Sequence, residues 1–113
     1  MATDNASNVI NALPAAVLVV GANGAIRLVN AAAESLLQQS AAHLQGQDLT
    51  TVFGRDSAIA SLVRQTVDEM APMAEFDVQL TTARTRTDRV AISTALLLSE
   101  DPKDAPEIIV PFA

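Results

Sequence analysis

The feature that most restricts the fold is a pair of short apolar segments separated by a glycine-containing turn. Residues 17–20 read Val-Leu-Val-Val and residues 26–29 read Ile-Arg-Leu-Val, with Gly-Ala-Asn-Gly between them. β-Branched residues favour strands, and Asn-Gly between two apolar segments is a strong hairpin signal because both residues accept a positive φ. The sequence therefore predicts an antiparallel hairpin, with Ile26 and Leu28 on one face and Arg27 on the other.

Two stretches after the hairpin have the residue types and spacing of helices. Asn30 is a predicted N-cap for a helix over residues 31–39, because its side chain can accept a hydrogen bond from the free N–H groups of the first turn. Either Asp56 or Ser57 is predicted to cap the longest helix, over residues 58–70, in which the apolar residues recur at helical spacing.

Three further segments are predicted strands. Phe76, Val78 and Leu80 alternate with polar residues, residues 90–98 alternate over a longer stretch, and residues 108–110 form a short apolar segment. The order of elements predicts an α+β fold, in which a five-stranded antiparallel sheet carries the helices on one face.

The N-terminal residues are predicted to flank this fold rather than belong to it. Residues 1–13 form a flanking segment with a short helix that ends before Pro14, since the residue before a proline avoids the helical conformation. Residues 14–113 form the main domain, and a chain of 113 residues is long enough for only one.

Composition excludes several classes of function. The chain has no cysteine, which excludes disulfides, thiolate metal sites and cysteine nucleophiles. The net charge of −6 argues against nucleic acid and anionic membranes as partners. The N-terminus lacks the basic start of a signal peptide, and no apolar stretch approaches the ~20 residues of a membrane span. A cytoplasmic location is expected.

The order of elements and three local motifs resemble a PAS domain. The segment Leu13-Pro14 leading into the hairpin resembles the opening of that fold. Residues 30–34, Asn-Ala-Ala-Ala-Glu, resemble the N-x-A-A-E start of its first core helix, and residues 43–46, His-Leu-Gln-Gly, resemble the L-x-G step that follows. The resemblance extends over roughly residues 8–112 and implies a sensory or dimerising module of a bacterial signalling protein.

A narrower resemblance connects the chain with nitrogen-regulation sensor histidine kinases of two-component systems. Residues 75–80, Glu-Phe-Asp-Val-Gln-Leu, followed by Arg84, resemble the E-Y-D-V-x-L segment of that family. The resemblance implies that the parent protein is a kinase and that the partner is a PII-type signal protein. Because the phosphoacceptor His-Glu pair is absent, this fragment is expected not to be an enzyme, and the kinase domains are expected in another part of the parent protein.

No residue is predicted to hold a cofactor or a metal ion, or to act in catalysis. His43 is the single histidine, and it is expected to be a partly exposed residue without a role as a ligand or phosphoacceptor. The absence of cysteine excludes flavin-adduct and thioester chromophores of light-sensing PAS domains. A stand-alone hydrolase would need a nucleophile, a base and an orienting acid, and no corresponding motif is present.

Two hypotheses about the module remain open: a small-ligand-binding sensor of another signalling protein, and a module that dimerises and relays a signal to kinase domains. A small apolar ligand could lie between the longest helix and the sheet, and the candidate lining residues are Leu37, Leu62, Val63, Val78 and Ile92. Alternatively, the flanking helix and the open sheet face could form a homodimer, since symmetric dimers are the commonest closed assembly. The candidate dimer contacts are Val9, Ile10, Leu13, Ala91, Ala95 and Leu97.

Overall fold

The computed structural model describes residues 15–82, 86–98 and 105–112. The predicted flanking helix of residues 1–13, including Val9, Ile10 and Leu13, lies outside the described residues. In the described ranges the strands are β1 (Ala16–Gly21), β2 (Ile26–Val29), β3 (Ala74–Thr81), β4 (Arg86–Ser93), β5 (Ala95–Leu97) and β6 (Glu107–Phe112). The helices there are α1 (Ala31–Leu37), α2 (Ala41–Leu44), α3 (Leu49–Phe53) and α4 (Ala58–Glu69).

The strands form one antiparallel sheet in the order β2-β1-β6-β4-β3, and β5 also pairs with β6. β1 and β6 lie in the middle and pair from Ala16–Phe112 to Gly21–Glu107. The long strand predicted over residues 90–98 is interrupted at Thr94, so it is present as β4 and β5. The predicted antiparallel α+β fold is confirmed, with this interruption as the difference in strand number.

All four helices cover the same face of the sheet. Each helix contributes buried side chains to one core cluster, and the inward side chains of the strands belong to the same cluster. The core is aliphatic, as the composition requires, except for Phe53 and Phe112. The predicted placement of the helices on one face is therefore confirmed.

The hairpin between β1 and β2 forms as predicted, but with a different turn. The Gly24 N–H donates to the Gly21 carbonyl at 2.9 Å, and the Gly21 N–H donates to the Ala25 carbonyl at 2.9 Å. Gly24 has a φ of +91°, whereas Asn23 is not among the residues with positive φ. These features belong to a three-residue loop that ends in a left-handed glycine, rather than to a two-residue type I′ turn.

The faces of β2 differ from the prediction because β2 contains a bulge. Val19 pairs with Leu28 and Val20 pairs with Ile26, so Arg27 is an additional residue between two successive pairs. Ile26 packs in the core, whereas Leu28 packs on the opposite face of the sheet. The prediction that Ile26 and Leu28 share a face is wrong, since a bulge shifts the alternation of side chains by one residue.

A second bulge moves Phe76 out of the core. Two residues of β3, Phe76 and Asp77, lie opposite Ala91 of β4 alone, and Asp77 has a φ of +56°. Val78 and Leu80 are buried as predicted, but Phe76 is 73% exposed. The alternation fails at Phe76 because the additional residue reverses the faces on the N-terminal side of the bulge.

The side chain of Asn30 connects the start of β1 with the start of α1. It is fully buried, and its Oδ1 accepts hydrogen bonds from the backbone N–H groups of Val17 and Ala33, each at 2.9 Å. Its Nδ2 donates to the Ala15 carbonyl at 2.7 Å. The predicted N-cap is confirmed, and the same side chain also fixes the start of β1.

Two buried threonines connect the end of α4 with the break between β4 and β5. The hydroxyl oxygens of Thr66 and Thr94 are 2.6 Å apart. The Thr66 hydroxyl also donates to the Leu62 carbonyl at 2.8 Å, and the Thr94 Oγ1 accepts from the Met73 N–H at 2.8 Å. The Thr94 N–H donates to the Met73 carbonyl at 2.8 Å, one residue beyond the Ala74–Ser93 pair of β3 and β4.

Asp48 is the N-cap of α3, and Ser57, one of the two predicted caps, is the N-cap of α4. The Asp48 Oδ1 accepts from the Thr50 N–H at 2.9 Å and from the Thr50 hydroxyl at 2.6 Å. These hydrogen bonds to the charged form hold the pKa of Asp48 below its usual value.

We expect Asn30→Ala to destabilise the domain strongly, because it leaves the backbone groups of Ala15, Val17 and Ala33 without their partner. An unsatisfied buried group costs about 1–3 kcal/mol, so the free energy of unfolding should fall by about 3 kcal/mol or more. Urea denaturation measures this loss. The control is Asn23→Ala, which removes one exposed hydrogen bond to the Ala25 N–H; an equal loss in both variants would contradict the assigned role of Asn30.

We also expect Asp48 to make stability depend on pH. Because folding lowers the pKa of Asp48, its contribution is fully present above the unfolded-state value of about 4 and is lost as the pH falls through the folded-state value. The stability difference between wild type and Asp48→Asn should therefore be larger at pH 7 than at pH 3. Urea midpoints of both proteins across this range measure it, and a difference that grows in acid would contradict the assignment.

Candidate interaction surface

The sheet face opposite the helices carries a row of apolar residues that crosses four strands. Leu28 pairs with Val19, Val19 with Ile109, and Ile109 with Ala95. Directly paired residues of antiparallel strands lie on the same face. We call this row, together with Val17, the outer-face row.

The centre of the outer-face row is buried. Val17 is 2% exposed and Val19 is 1% exposed, and they form an apolar cluster separate from the core. Leu28 and Ile109, which flank them in the sheet, are partly buried and pack against this cluster. β1 therefore has buried side chains on both of its faces.

The three candidate dimer contacts among the described residues lie on this outer face. Ala91, Ala95 and Leu97 alternate along β4 and β5 with inward residues, including the buried Val90 and Ile92. Ala91 is half-buried, Ala95 is exposed and Leu97 is 38% exposed. Their participation in a dimer stays a prediction, as does that of Val9, Ile10 and Leu13, which lie outside the described residues.

Polar side chains lie at one end of the outer face. The Arg27 Nε is 3.7 Å from the Glu107 Oε2, and Glu107 pairs with both Gly21 and Leu97. The Arg27 side chain is 60% exposed, so the pair contributes little stability by itself; it places charge next to an apolar surface.

The five candidate pocket residues are brought together, but as part of the core. All five are buried and belong to the single cluster between the helices and the sheet. A side chain can line a ligand cavity or fill a core with the same burial, so the prediction that they line a pocket stays a prediction. They are Leu37 on α1, Leu62 and Val63 on α4, Val78 on β3 and Ile92 on β4.

The described part of the chain offers no cluster of metal ligands. No group of three or more histidine, cysteine, aspartate or glutamate side chains there could hold an ion. His43 lies exposed on the short helix α2, in agreement with its expected position on the surface. None of the helices in the described ranges is long and apolar enough to cross a membrane.

The outer-face positions of Val17 and Val19 were missed by sequence reasoning, although the signal was present. A strand with one wet face alternates apolar and polar residues, whereas a strand buried on both faces reads as a continuous apolar run. Residues 17–20 are such a run. No sequence pattern indicated that Leu28 lies on the outer face, because its face depends on the bulge at Arg27.

Comparison with known proteins identifies the family of the chain. A family model described as the PAS fold matches residues 5–102. The sensory histidine kinase/phosphatase NtrB of Rhizobium meliloti (strain 1021) is 31% identical over 100 residues, which cover 88% of this chain. The chain spans 26% of the length of that relative.

Solved structures show the same fold. The PAS domain of nitrogen regulation protein NR(II) from Vibrio parahaemolyticus superimposes with a TM-score of 0.77 at 21% identity, over 96% of this chain and 95% of that one. A PAS domain from a two-component sensor histidine kinase superimposes with a TM-score of 0.74 at 16% identity, over 99% of this chain and 95% of the other.

Replacement of Phe76 tests the bulge that brings this side chain to the surface. Phe76→Ala should change the free energy of unfolding by less than about 0.5 kcal/mol, because the side chain is mostly exposed. Phe53→Ala removes a ring that is 8% exposed and should cost about 3–5 kcal/mol. Chemical denaturation of both variants measures the contrast. A loss of several kcal/mol in Phe76→Ala would contradict the register of β3.

Proposed function

The chain belongs to the PAS fold family, and on that premise we propose that it is the sensory and dimerising module of a bacterial two-component sensor histidine kinase of the nitrogen-regulation type. It relays a signal to kinase domains of the parent protein. The observation that carries this proposal is the 31% identity with a sensory histidine kinase/phosphatase over 88% of the chain. The resemblance of residues 75–80 to the corresponding kinase segment gives additional support.

The outer face supports dimerisation as the means of relay. Val17 and Val19 are nearly inaccessible to solvent, and the described residues that pack against them, Leu28 and Ile109, lie beside them in the same sheet. Neighbours in the sheet cover the sides of these side chains but not their ends, so such low exposure is expected when a further layer lies over the sheet. We propose that the flanking helix of residues 1–13 supplies this layer and that a second copy of the chain completes it.

The dimensions of the flanking segment agree with this arrangement. A row across four strands spans about 14 Å at the usual strand spacing. The predicted short helix, residues 7–13, extends about 10 Å, which is sufficient to cover β1 and β6 at the centre of the row. Val9, Ile10 and Leu13 provide the apolar side chains that would meet Val19 and Ile109.

Two outward residues of β5 remain accessible for contact with a second copy of the chain. Ala95 and Leu97 lie at the end of the outer face towards β5 and remain accessible in the single chain. Contact with the same surface of a second copy would bury them, as in an isologous interface with two-fold symmetry.

We extend the proposal to the partner and the location. A PII-type signal protein is the proposed partner, and the cytoplasm is the proposed location; both rest on the resemblance to nitrogen-regulation kinases. The described helices include no membrane-spanning candidate, which is compatible with this location.

The dimer is tested by static light scattering coupled to size-exclusion chromatography. The wild-type chain should elute with the mass of two copies. Val9→Asp and Ala95→Asp should each shift the equilibrium towards the monomer, because a carboxylate in an apolar interface loses its hydration.

The matched control is Ala42→Asp. Ala42 is an exposed alanine on α2, in the helical layer away from the outer face, so this variant should remain dimeric. Circular dichroism confirms that all variants are folded. A monomeric mass for the wild type at high concentration would reject dimerisation, and equal dissociation by Ala42→Asp would reject the outer face as the interface.

A further inference from the structure

A groove opens between the hairpin turn and the longest helix, α4. Its volume is about 340 Å³. One wall consists of the turn at Gly24 and the N-terminus of α3, and the other consists of α4. A volume of this size is at the lower end of the range for small-molecule sites.

The first wall is held in place by backbone hydrogen bonds. The Leu49 N–H donates to the Gly24 carbonyl at 2.9 Å, and the Ile26 N–H donates to the Gln47 carbonyl at 2.8 Å. A Cβ atom at Gly24 would lie only 3.2 Å from the Asp48 Oδ2, so the turn and this carboxylate are in close approach. A wall fixed in this way needs little ordering when a ligand binds.

The groove is lined by side chains of both charges and by apolar side chains. Asp48 lies on the first wall, and Arg64 and Asp68 lie one turn apart on α4. None of these three forms an ion pair within the described ranges. The apolar lining includes Ala60 and Val67.

The orientation of Asp48 leaves its second oxygen for a ligand. The hydrogen bonds recorded for Asp48 both use Oδ1 and both come from Thr50. These bonds lower the pKa of the carboxyl group and keep it charged at neutral pH. Oδ2 is the oxygen on the side of Gly24, which also lines the groove.

We propose that this groove binds a small zwitterion with the chemistry of a free amino acid. The ammonium group lies between Asp48 and Asp68, the carboxylate lies at Arg64, and an aliphatic side chain lies over Ala60 and Val67. The site is independent of the proposed dimer, because it is formed by the turn and the helical layer rather than by the outer face. It goes beyond the proposed relay in giving the module a ligand of its own.

The test is a titration followed by amide chemical shifts of the 113-residue chain with three probes of similar length. L-Norleucine carries both charges, n-pentylamine only the positive charge and hexanoate only the negative charge. L-Norleucine should shift the amides of Gly24, Leu49 and Asp68 saturably. Each singly charged probe should bind at least about tenfold more weakly, as expected for the loss of a charged hydrogen bond.

Matched variants assign the two charged ends. Arg64→Gln and Asp68→Asn should each weaken L-norleucine binding about tenfold, whereas Arg55→Gln and Glu69→Gln change exposed residues outside the groove lining and should leave it unchanged. The absence of saturable shifts up to about 10 mM, or equal weakening by the control variants, would overturn the site. The mass from light scattering is measured separately, so failure of the dimer and failure of the groove are distinguishable.

Discussion

The hydrogen bonds of the Asn30 side chain hold together the two layers on which the rest of the fold depends. Through Val17 and Ala15 they fix the beginning of β1, and through Ala33 they begin α1. β1 is paired with β2 on one side and with β6 on the other, so its position determines that of the sheet. A polar group buried to this degree is stabilising only when its hydrogen bonds are satisfied, which makes the geometry around Asn30 specific.

Strand β1 has apolar contacts on both of its faces. Leu18 and Val20 pack into the core, and Val17 and Val19 belong to the outer-face cluster. A sheet strand whose outer face is wet gains hydrophobic stabilisation from only one side. The burial of Val17 and Val19 adds apolar stabilisation on the second face, and it is the physical basis for the proposal that further residues cover the outer face.

Sequence reasoning predicted the fold class, the order of elements and the caps at Asn30 and Ser57, because these follow from local residue types. Sequence reasoning assigned Leu28 and Phe76 to the wrong face of the sheet, because the face of each residue depends on a bulge. A bulge depends on the register between two paired strands and cannot be seen in one segment. Sequence reasoning also did not detect the interruption at Thr94, whose hydroxyl contacts Thr66 of α4. Of the candidate site, the outward positions of Ala91, Ala95 and Leu97 were predicted correctly by alternation. The groove at Asp48 was not predicted, because it is formed by three segments that are distant in sequence.

The threonine pair lies directly behind the outer face. Thr94 contacts α4 through its hydroxyl oxygen, which is 2.6 Å from that of Thr66, and it is followed by Ala95, whose side chain lies on the opposite side of the sheet. Two neighbouring residues of one segment therefore contact the helical layer and form part of the outer face, so the position of Ala95 depends on the same short segment that binds α4.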